Sequence, residues 1–190
     1  MPHQSLALRH CGSPDSPPPR SAFDEVCLDV FQRELSYVYR TLRRLGAAAS
    51  EVEDLAQDAF LALRGSWANY DPARPIRPYL FGIAFRIVSA HRRKRKREVA
   101  YGSVDPDDEG PWPDAVLQSK QARAMVLVAL ERLPLSRRAV LVMHELDDVP
   151  VAEVASVLGI PLFTAYSRLR KGRSELEAEM RRMLKKGHAE

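Results

Sequence analysis

The sequence predicts an all-α protein made of two small helical domains joined by an acidic linker, the second a helix-turn-helix. Three observations carry that expectation. Apolar residues recur at three- and four-residue steps along most of the chain, and no alternating strand pattern interrupts them. A stretch rich in acid and proline divides the periodic segments into two groups. Near the end, two apolar stripes flank one glycine at helix-turn-helix spacing.

Composition narrows the class further. The 190 residues hold 29 Lys+Arg against 25 Asp+Glu, a formal net charge of +4, and are 45% hydrophobic and 28% charged. That is globular usage, neither collagenous nor wholly disordered. The start lacks a basic head followed by an apolar run, and no segment reaches the about 18 uninterrupted apolar residues of a membrane span. Cys11 and Cys27 are too few for a disulfide framework and suit a reducing compartment. A cytoplasmic protein is expected.

Residues 1–22 hold five of the 14 prolines and little apolar pattern, so an unfolded arm is expected there. From Phe23, Leu28, Phe31, Leu35, Val38, Leu42 and Leu45 mark one face of a first helix, with Gly46 as its stop. Ser50 and Glu53 have capping-box spacing and open a second helix, with Val52, Leu55, Ala56, Ala59, Phe60 and Leu63 inward and Gly65 at its end. Residues 67–78 contain three prolines and are expected to be a restricted loop. A third helix follows from Tyr79 to Arg97. These elements make a first domain, residues 23–97.

Residues 98–119 carry six acidic side chains, three prolines and no Lys or Arg, the composition of a linker. A second domain, residues 120–184, then begins with helices on Ala122–Leu133 and Ala139–Leu146. Next comes a short helix, a turn at Gly159, and a long helix with Leu162, Ala165, Leu169, Leu176 and Met180 inward. Residues 185–190 form a tail.

The helix-turn-helix at residues 151–173 is the sharpest functional signal. With its apolar stripe buried, Thr164, Tyr166, Ser167, Arg168, Arg170, Lys171 and Arg173 fall on open or flanking faces of the second helix. These are types that read base edges and anchor phosphates when a helix enters the major groove. A helical hairpin with an ordinary basic surface is the competing reading. The run HRRKRKR at residues 91–97 is a second cationic site, suited to polyphosphate but also to a solvated helix end. Asp54, Gln57, Asp58 and Leu61 form an outer face on the second helix that suits either docking or plain solvation. Trp67, Tyr70 and Tyr79 stand at the edges of the proline loop, where aromatic side chains can stack on bases.

Catalytic readings find little support. There is no glycine-rich phosphate loop and no paired metal-ligand motif, and the histidines are scattered. No enzyme activity, cofactor or metal is expected.

Taken in order, EVEDLAQDAFLALRGSW, RPYLFGIAFRIVSAHRRKRKR, the acidic linker and LPLSRRAVLVMHELDDVPVAEVASVLGIPLFTAYSRLRKGRSEL resemble a bacterial RNA polymerase sigma factor of the extracytoplasmic-function (ECF) group, sigma-70 family. The resemblance spans about residues 23–180. It implies a subunit that binds core RNA polymerase and directs promoter recognition, melting and transcription initiation, commonly in a stress response. On the matching positions, Asp54, Leu55, Gln57, Asp58, Phe60 and Leu61 would meet the polymerase β′ coiled-coil. Trp67, Tyr70, Tyr79, Arg86, His91, Arg92, Arg93, Lys94 and Arg95 would serve the minus-ten element. Thr164, Tyr166, Ser167, Arg168, Arg170, Lys171 and Arg173 would serve the minus-thirty-five element. The β flap is the further polymerase contact implied, and an anti-sigma factor is a further partner.

The chain departs from the family pattern at Tyr79, where tryptophan is common, at Arg86 and Ala90, where Asn and Asp are frequent, and at Phe163, where glycine is usual. Promoter sequence therefore does not carry over. The linker suits the division of labour, since 22 extended residues reach at most roughly 70 Å, about two turns of DNA at roughly 35 Å each. The alternative function is a free-standing helix-turn-helix regulator that binds operator DNA without polymerase. An adaptor whose basic helices bind acidic proteins is a third.

Overall fold

The computed structural model describes residues 20–100 and 119–187, with side chains described at 25–97 and 123–185. Most of the expected arm, most of the linker and the end of the tail lie outside the described residues. Among the described residues seven α-helices follow in order: α1 (Arg20–Leu45), α2 (Val52–Ser66), α3 (Ile76–Ala100), α4 (Ser119–Glu131), α5 (Leu135–Leu141), α6 (Val151–Leu158) and α7 (Leu162–Gly187). Every regular element among the described residues is helical.

Helices α1, α2 and α3 pack on one another. The face of α1 that supports this runs Cys27, Phe31, Val38, Leu42 and Leu45, all nearly solvent-free. Leu28, expected on that face, is instead exposed, because Cys27 occupies the inward position one turn before Phe31. Gly46 ends α1 at φ +90°, a value that side chains with a Cβ rarely adopt.

The start of α2 differs from expectation. A 3₁₀ turn at Ala49–Glu51 precedes it, and the Glu51 carboxylate accepts a hydrogen bond from the Ala48 N–H at 3.2 Å. The reaching-back half of a capping box is thus supplied by Glu51 rather than by Ser50 and Glu53. Gly65 does not stop α2, which continues through Ser66 into a 3₁₀ turn at Trp67–Asn69. Helix α3 opens at Ile76, three residues before the expected Tyr79, with Pro78 in its first turn. Proline lacks an N–H, and the first turn is where that N–H has no intrahelical partner.

The second group centres on α5 and α7, with α4 and α6 against them. Between α5 and α6 the chain makes a π turn over Val142–Leu146 and then turns at Asp148, which has φ +54°. Aspartate tolerates that left-handed value better than most residues. His144 Nδ1 donates to the Val149 carbonyl across the turn at 2.9 Å. Helix α6 ends on Gly159 at φ +62°, and the Ile160 N–H reaches back to the Ala155 carbonyl at 3.0 Å. Leu162 was expected inward but is exposed, since Ala165 and Leu169 fill the crossing with α6 and Leu162 lies a turn before it.

One hydrophobic cluster runs through both groups, joining Leu42, Leu45, Phe81 and Ile83 to Leu130, Leu133, Val140 and Val154. Polar contacts reinforce the seam. Arg138, fully buried on α5, donates to the Leu45 carbonyl at the end of α1 at 2.9 Å and to the carbonyls of Leu133 and Glu131. Tyr37 donates to Asp147 at 2.7 Å, and Arg44 pairs with the same carboxylate at 3.0 Å. Gly82 on α3 faces Val157 on α6 so closely that an added Cβ would stand 3.0 Å from its Cγ1.

Candidate polymerase and nucleic-acid interface

Four surfaces carry the sequence-predicted residues. On α2, Asp54, Gln57, Asp58 and Leu61 are all exposed, and Leu61 shows 60% of its surface. Their spacing follows from Val52, Leu55, Ala56, Ala59 and Leu63 turning inward. Leu55 was expected among the docking residues, but it is only 4% exposed and belongs to the core. Phe60 is half-buried with its ring 5.2 Å from that of Phe31, so it supports the face from its edge.

The loop between α2 and α3 gathers its aromatic residues. The rings of Trp67 and Tyr70 stack with centroids 5.2 Å apart, and Tyr79 follows at 5.3 Å from Tyr70. Tyr70 is pinned through its hydroxyl, which donates to the Arg74 carbonyl at 2.6 Å, and Tyr79 donates to the Ser66 carbonyl at 3.3 Å. Burial, then the neighbouring Asp71 charge, pushes the Tyr70 phenol above its ordinary value, so it stays a neutral donor. Trp67, Tyr70, Val26, Val30 and Ile76 wall a largely apolar cleft of about 600 Å³. A space of this size and lining suits a planar ring.

The end of α3 is divided between fold and surface. His91 Nε2 lies 2.9 Å from Glu51 Oε1, Arg95 lies 3.9 Å from the same oxygen, and Arg92 donates to the Gly46 carbonyl at 3.3 Å. These three residues, expected to face DNA, tie α3 to the turn between α1 and α2. Burial works to raise Glu51, but hydrogen bonds from His91 and the Ala48 N–H, with the His91 and Arg95 charges, outweigh it and hold the carboxyl below its usual range. Arg93, Lys94, Lys96 and Arg97 are the exposed residues of the run, and Arg86 is exposed near the seam. The expected set did not include Lys96 and Arg97, although the run HRRKRKR contained both.

The fourth surface is α7. Tyr166, Arg170 and Lys171 are exposed, while Thr164, Ser167 and Arg168 are half-buried. Arg173 is exposed but engaged, donating to Glu145 at 2.7 Å. Phe163, absent from the expected reading residues, is 84% exposed. No helix among the described residues is long and apolar enough to cross a membrane, and no group of three or more potential metal-binding side chains occurs among them.

A helical group with an exposed acidic face on α2 and an aromatic cluster after it, followed by a helix-turn-helix group, has the build of a two-part transcription factor. Family comparison agrees with that class. Residues 30–98 match sigma-70 region 2, and residues 123–176 match sigma-70, region 4. The chain is 31% identical over 159 residues to the ECF RNA polymerase sigma factor SigM of Mycobacterium tuberculosis, covering 83% of this chain and 76% of that one. It is 30% identical over 154 residues to the ECF RNA polymerase sigma factor RpoE of Cereibacter sphaeroides, covering 80% and 84% respectively.

Among solved structures, the fold resembles the sigma factor RpoE bound to the anti-sigma factor NepR from Bartonella quintana. The TM-score is 0.63 at 22% identity, over 80% of this chain and 96% of the other. CnrH in complex with the cytosolic domain of CnrY gives 0.56 at 21% identity, over 84% and 92%. The chain belongs to the ECF RNA polymerase sigma factors of the sigma-70 family, and binds core RNA polymerase and promoter DNA.

Proposed function

We propose that the four surfaces divide the sigma factor's work. The outer face of α2, with Asp54, Gln57, Asp58 and Leu61, docks on the β′ coiled-coil of core polymerase, Leu61 supplying apolar contact and the acids setting register and encounter rate. The aromatic cluster of Trp67 and Tyr70 in the loop and Tyr79 at the start of α3 captures an unstacked nontemplate base of the minus-ten element. Burial of that base against the rings offsets part of the cost of unpairing, about a few kcal/mol. Arg86, Arg93, Lys94, Lys96 and Arg97 hold the adjoining phosphates. Helix α7 enters the major groove at the minus-thirty-five element, and the same group of helices contacts the β flap.

The observation that carries this reading is the grouping of Trp67 and Tyr70, which wall an apolar cleft in the loop between the docking helix and the basic helix, with Tyr79 in the first turn of the basic helix. The protein acts without catalysis of its own, in the cytoplasm, where its polymerase works. Because the solved RpoE is bound to an anti-sigma factor, and CnrH to the cytosolic domain of CnrY, an anti-sigma factor is proposed as a partner for this chain too. Helix α6 lies against α3 beside Tyr79, so occupying two promoter elements at once requires the seam between the groups to part.

Purified chain should co-migrate with core polymerase and give specific run-off transcripts from DNA of the source organism. Operator binding as a dimer in the absence of polymerase would support the free-standing regulator instead.

A further inference from the structure

We propose that Phe163 is a base-reading side chain that recognises the C5-methyl group of a thymine in the major groove of the upstream promoter element. This rests on α7 acting as the recognition helix, and adds a residue and the chemical group it meets.

Phe163 is the most exposed of the large apolar side chains among the described residues, at 84%. Packing does not hold it there. The inward stripe of α7 is Ala165 and Leu169, with Leu176 behind, and Phe163 stands on another face. It shares that face with Tyr166 and Arg170, three and seven residues on, and the three line one shallow, mostly apolar cleft with Ser167. Tyr166 is itself 56% exposed, and Arg170 and Lys171 are exposed cations. An apolar ring framed by cations fits a polyanion that offers an apolar landmark, not the greasy face of another protein.

Position and chemistry then select the landmark. Phe163 is the second residue of α7, and the first residues of a recognition helix are those that reach base edges. From Phe163 to Arg170 the helix rises about 10 Å, roughly three base pairs. Phenylalanine has neither donor nor acceptor, so it gains nothing specific from the polar edges of guanine, adenine or cytosine. The thymine methyl is the apolar group that the major groove displays. Tyr166 and Arg170, which do carry donors, are placed to read the neighbouring pairs.

Holoenzyme reconstituted with the full chain would first map promoters on DNA of the source organism. On the strongest, each thymine of the upstream element is then replaced singly by deoxyuridine, which removes the methyl and preserves pairing. Loss of one buried methyl is expected to weaken wild-type promoter binding about fourfold at one or two positions. Holoenzyme carrying Phe163→Ala should bind both templates equally, and Phe163→Leu should keep part of the preference. No penalty at any thymine, or the same penalty with Phe163→Ala, would overturn the proposal. So would a Phe163→Ala chain that binds core polymerase more weakly before DNA is added, since the ring would then be a protein contact. Promoter-specific transcripts without methyl dependence remove only the role of Phe163. Absence of any specific transcript with wild-type chain removes the assignment of α7 as well.

Discussion

The hydroxyl of Tyr37 on α1 donates a 2.7 Å hydrogen bond to the carboxylate of Asp147, which lies 110 residues away in the turn before α6. Arg44 holds the same carboxylate at 3.0 Å, and the Arg77 guanidinium lies 5.4 Å from the centre of the Tyr37 ring. A tyrosine from the first group of helices and an acid from the second thus close the seam between them. Tyr37 and Asp147 are both nearly solvent-free, so the hydrogen bond operates in a low dielectric.

Tyr37→Phe should therefore cost the free chain about 1.5–3 kcal/mol, the usual range for a hydrogen bond to a charged partner. Burial, followed by the Asp147 charge, raises the Tyr37 phenol far above its ordinary value. The sign follows from linkage. Stability from this group is complete below the unfolded value of about 10 and declines above it by up to about 1.4 kcal/mol per pH unit, because only the unfolded chain gives up the proton. Urea titrations from pH 8 to 11 should show that decline in the wild type and a shallower one in Tyr37→Phe. If the seam must part on polymerase, the substitution leaves core affinity unchanged or raised, whereas a fall would show that the closed form is the bound one.

Arg138 is the second fastener, and it has no aqueous alternative. Its guanidinium serves carbonyls of Leu45, Leu133 and Glu131, so Arg138→Met leaves several buried acceptors unpaired at once. The expected loss is about 2–5 kcal/mol. Arg138→Lys should recover little of it, since one ammonium on a flexible stem cannot span acceptors from both groups. Thermal melts of the three chains check this. Gly46→Ala should fall short of wild type by about 1–3 kcal/mol, because it strains a residue at φ +90° and drives a Cβ into Arg138 and Arg92.

Glu51 gives the opposite pH dependence from Tyr37. Its carboxyl sits below the ordinary range in the folded chain, so its contribution is full above the unfolded value of about 4.3 and disappears as pH falls through the lower folded value. Glu51→Gln should flatten the acid limb of the stability curve while leaving the alkaline limb untouched. An unchanged acid limb would mean that His91 and Arg95 do not hold this carboxylate in solution.

These fasteners also mark where the sequence was readable. Helices α1, α2, α6 and α7 were legible because their inward residues recur at helical spacing, and the turns at Gly46 and Gly159 because glycine takes a positive φ at least cost. The exposed outer faces of α2 and α7 followed as the complement of those stripes. Local pattern could not find Arg138, since an arginine in LSRRAVL looks like surface until an α1 carbonyl 93 residues away is placed beside it. Nor could it separate His91, Arg92 and Arg95, which are half-buried, from the more exposed cations of the run, because that split depends on where Glu51 and Gly46 lie in space. Phe163 was visible only as a departure from the family pattern, and its exposure gave it meaning.

On α7, Arg170 and Lys171 are exposed side by side, facing away from the crossing with α6. Replacing both with Ala should weaken holoenzyme binding to the upstream element and lower the salt slope by about one unit for each phosphate contact removed. Filter-binding isotherms over a range of salt concentrations measure this. A weaker complex with an unchanged slope would assign these residues to base edges instead of phosphates.

The acidic face of α2 invites the most direct test of docking. Asp54→Lys with Asp58→Lys reverses two exposed charges one turn apart, and because neither side chain touches the core, the far-UV spectrum and melting temperature should stay close to wild type. Binding to core polymerase should weaken by tenfold or more on the order of what like-charge juxtaposition at an interface produces, mostly through slower association. Leu61→Ala should act differently, since loss of an apolar anchor speeds dissociation and is insensitive to salt. If both variants bind core polymerase with wild-type kinetics, the outer face of α2 is not the docking surface, and the polymerase contact lies on another helix.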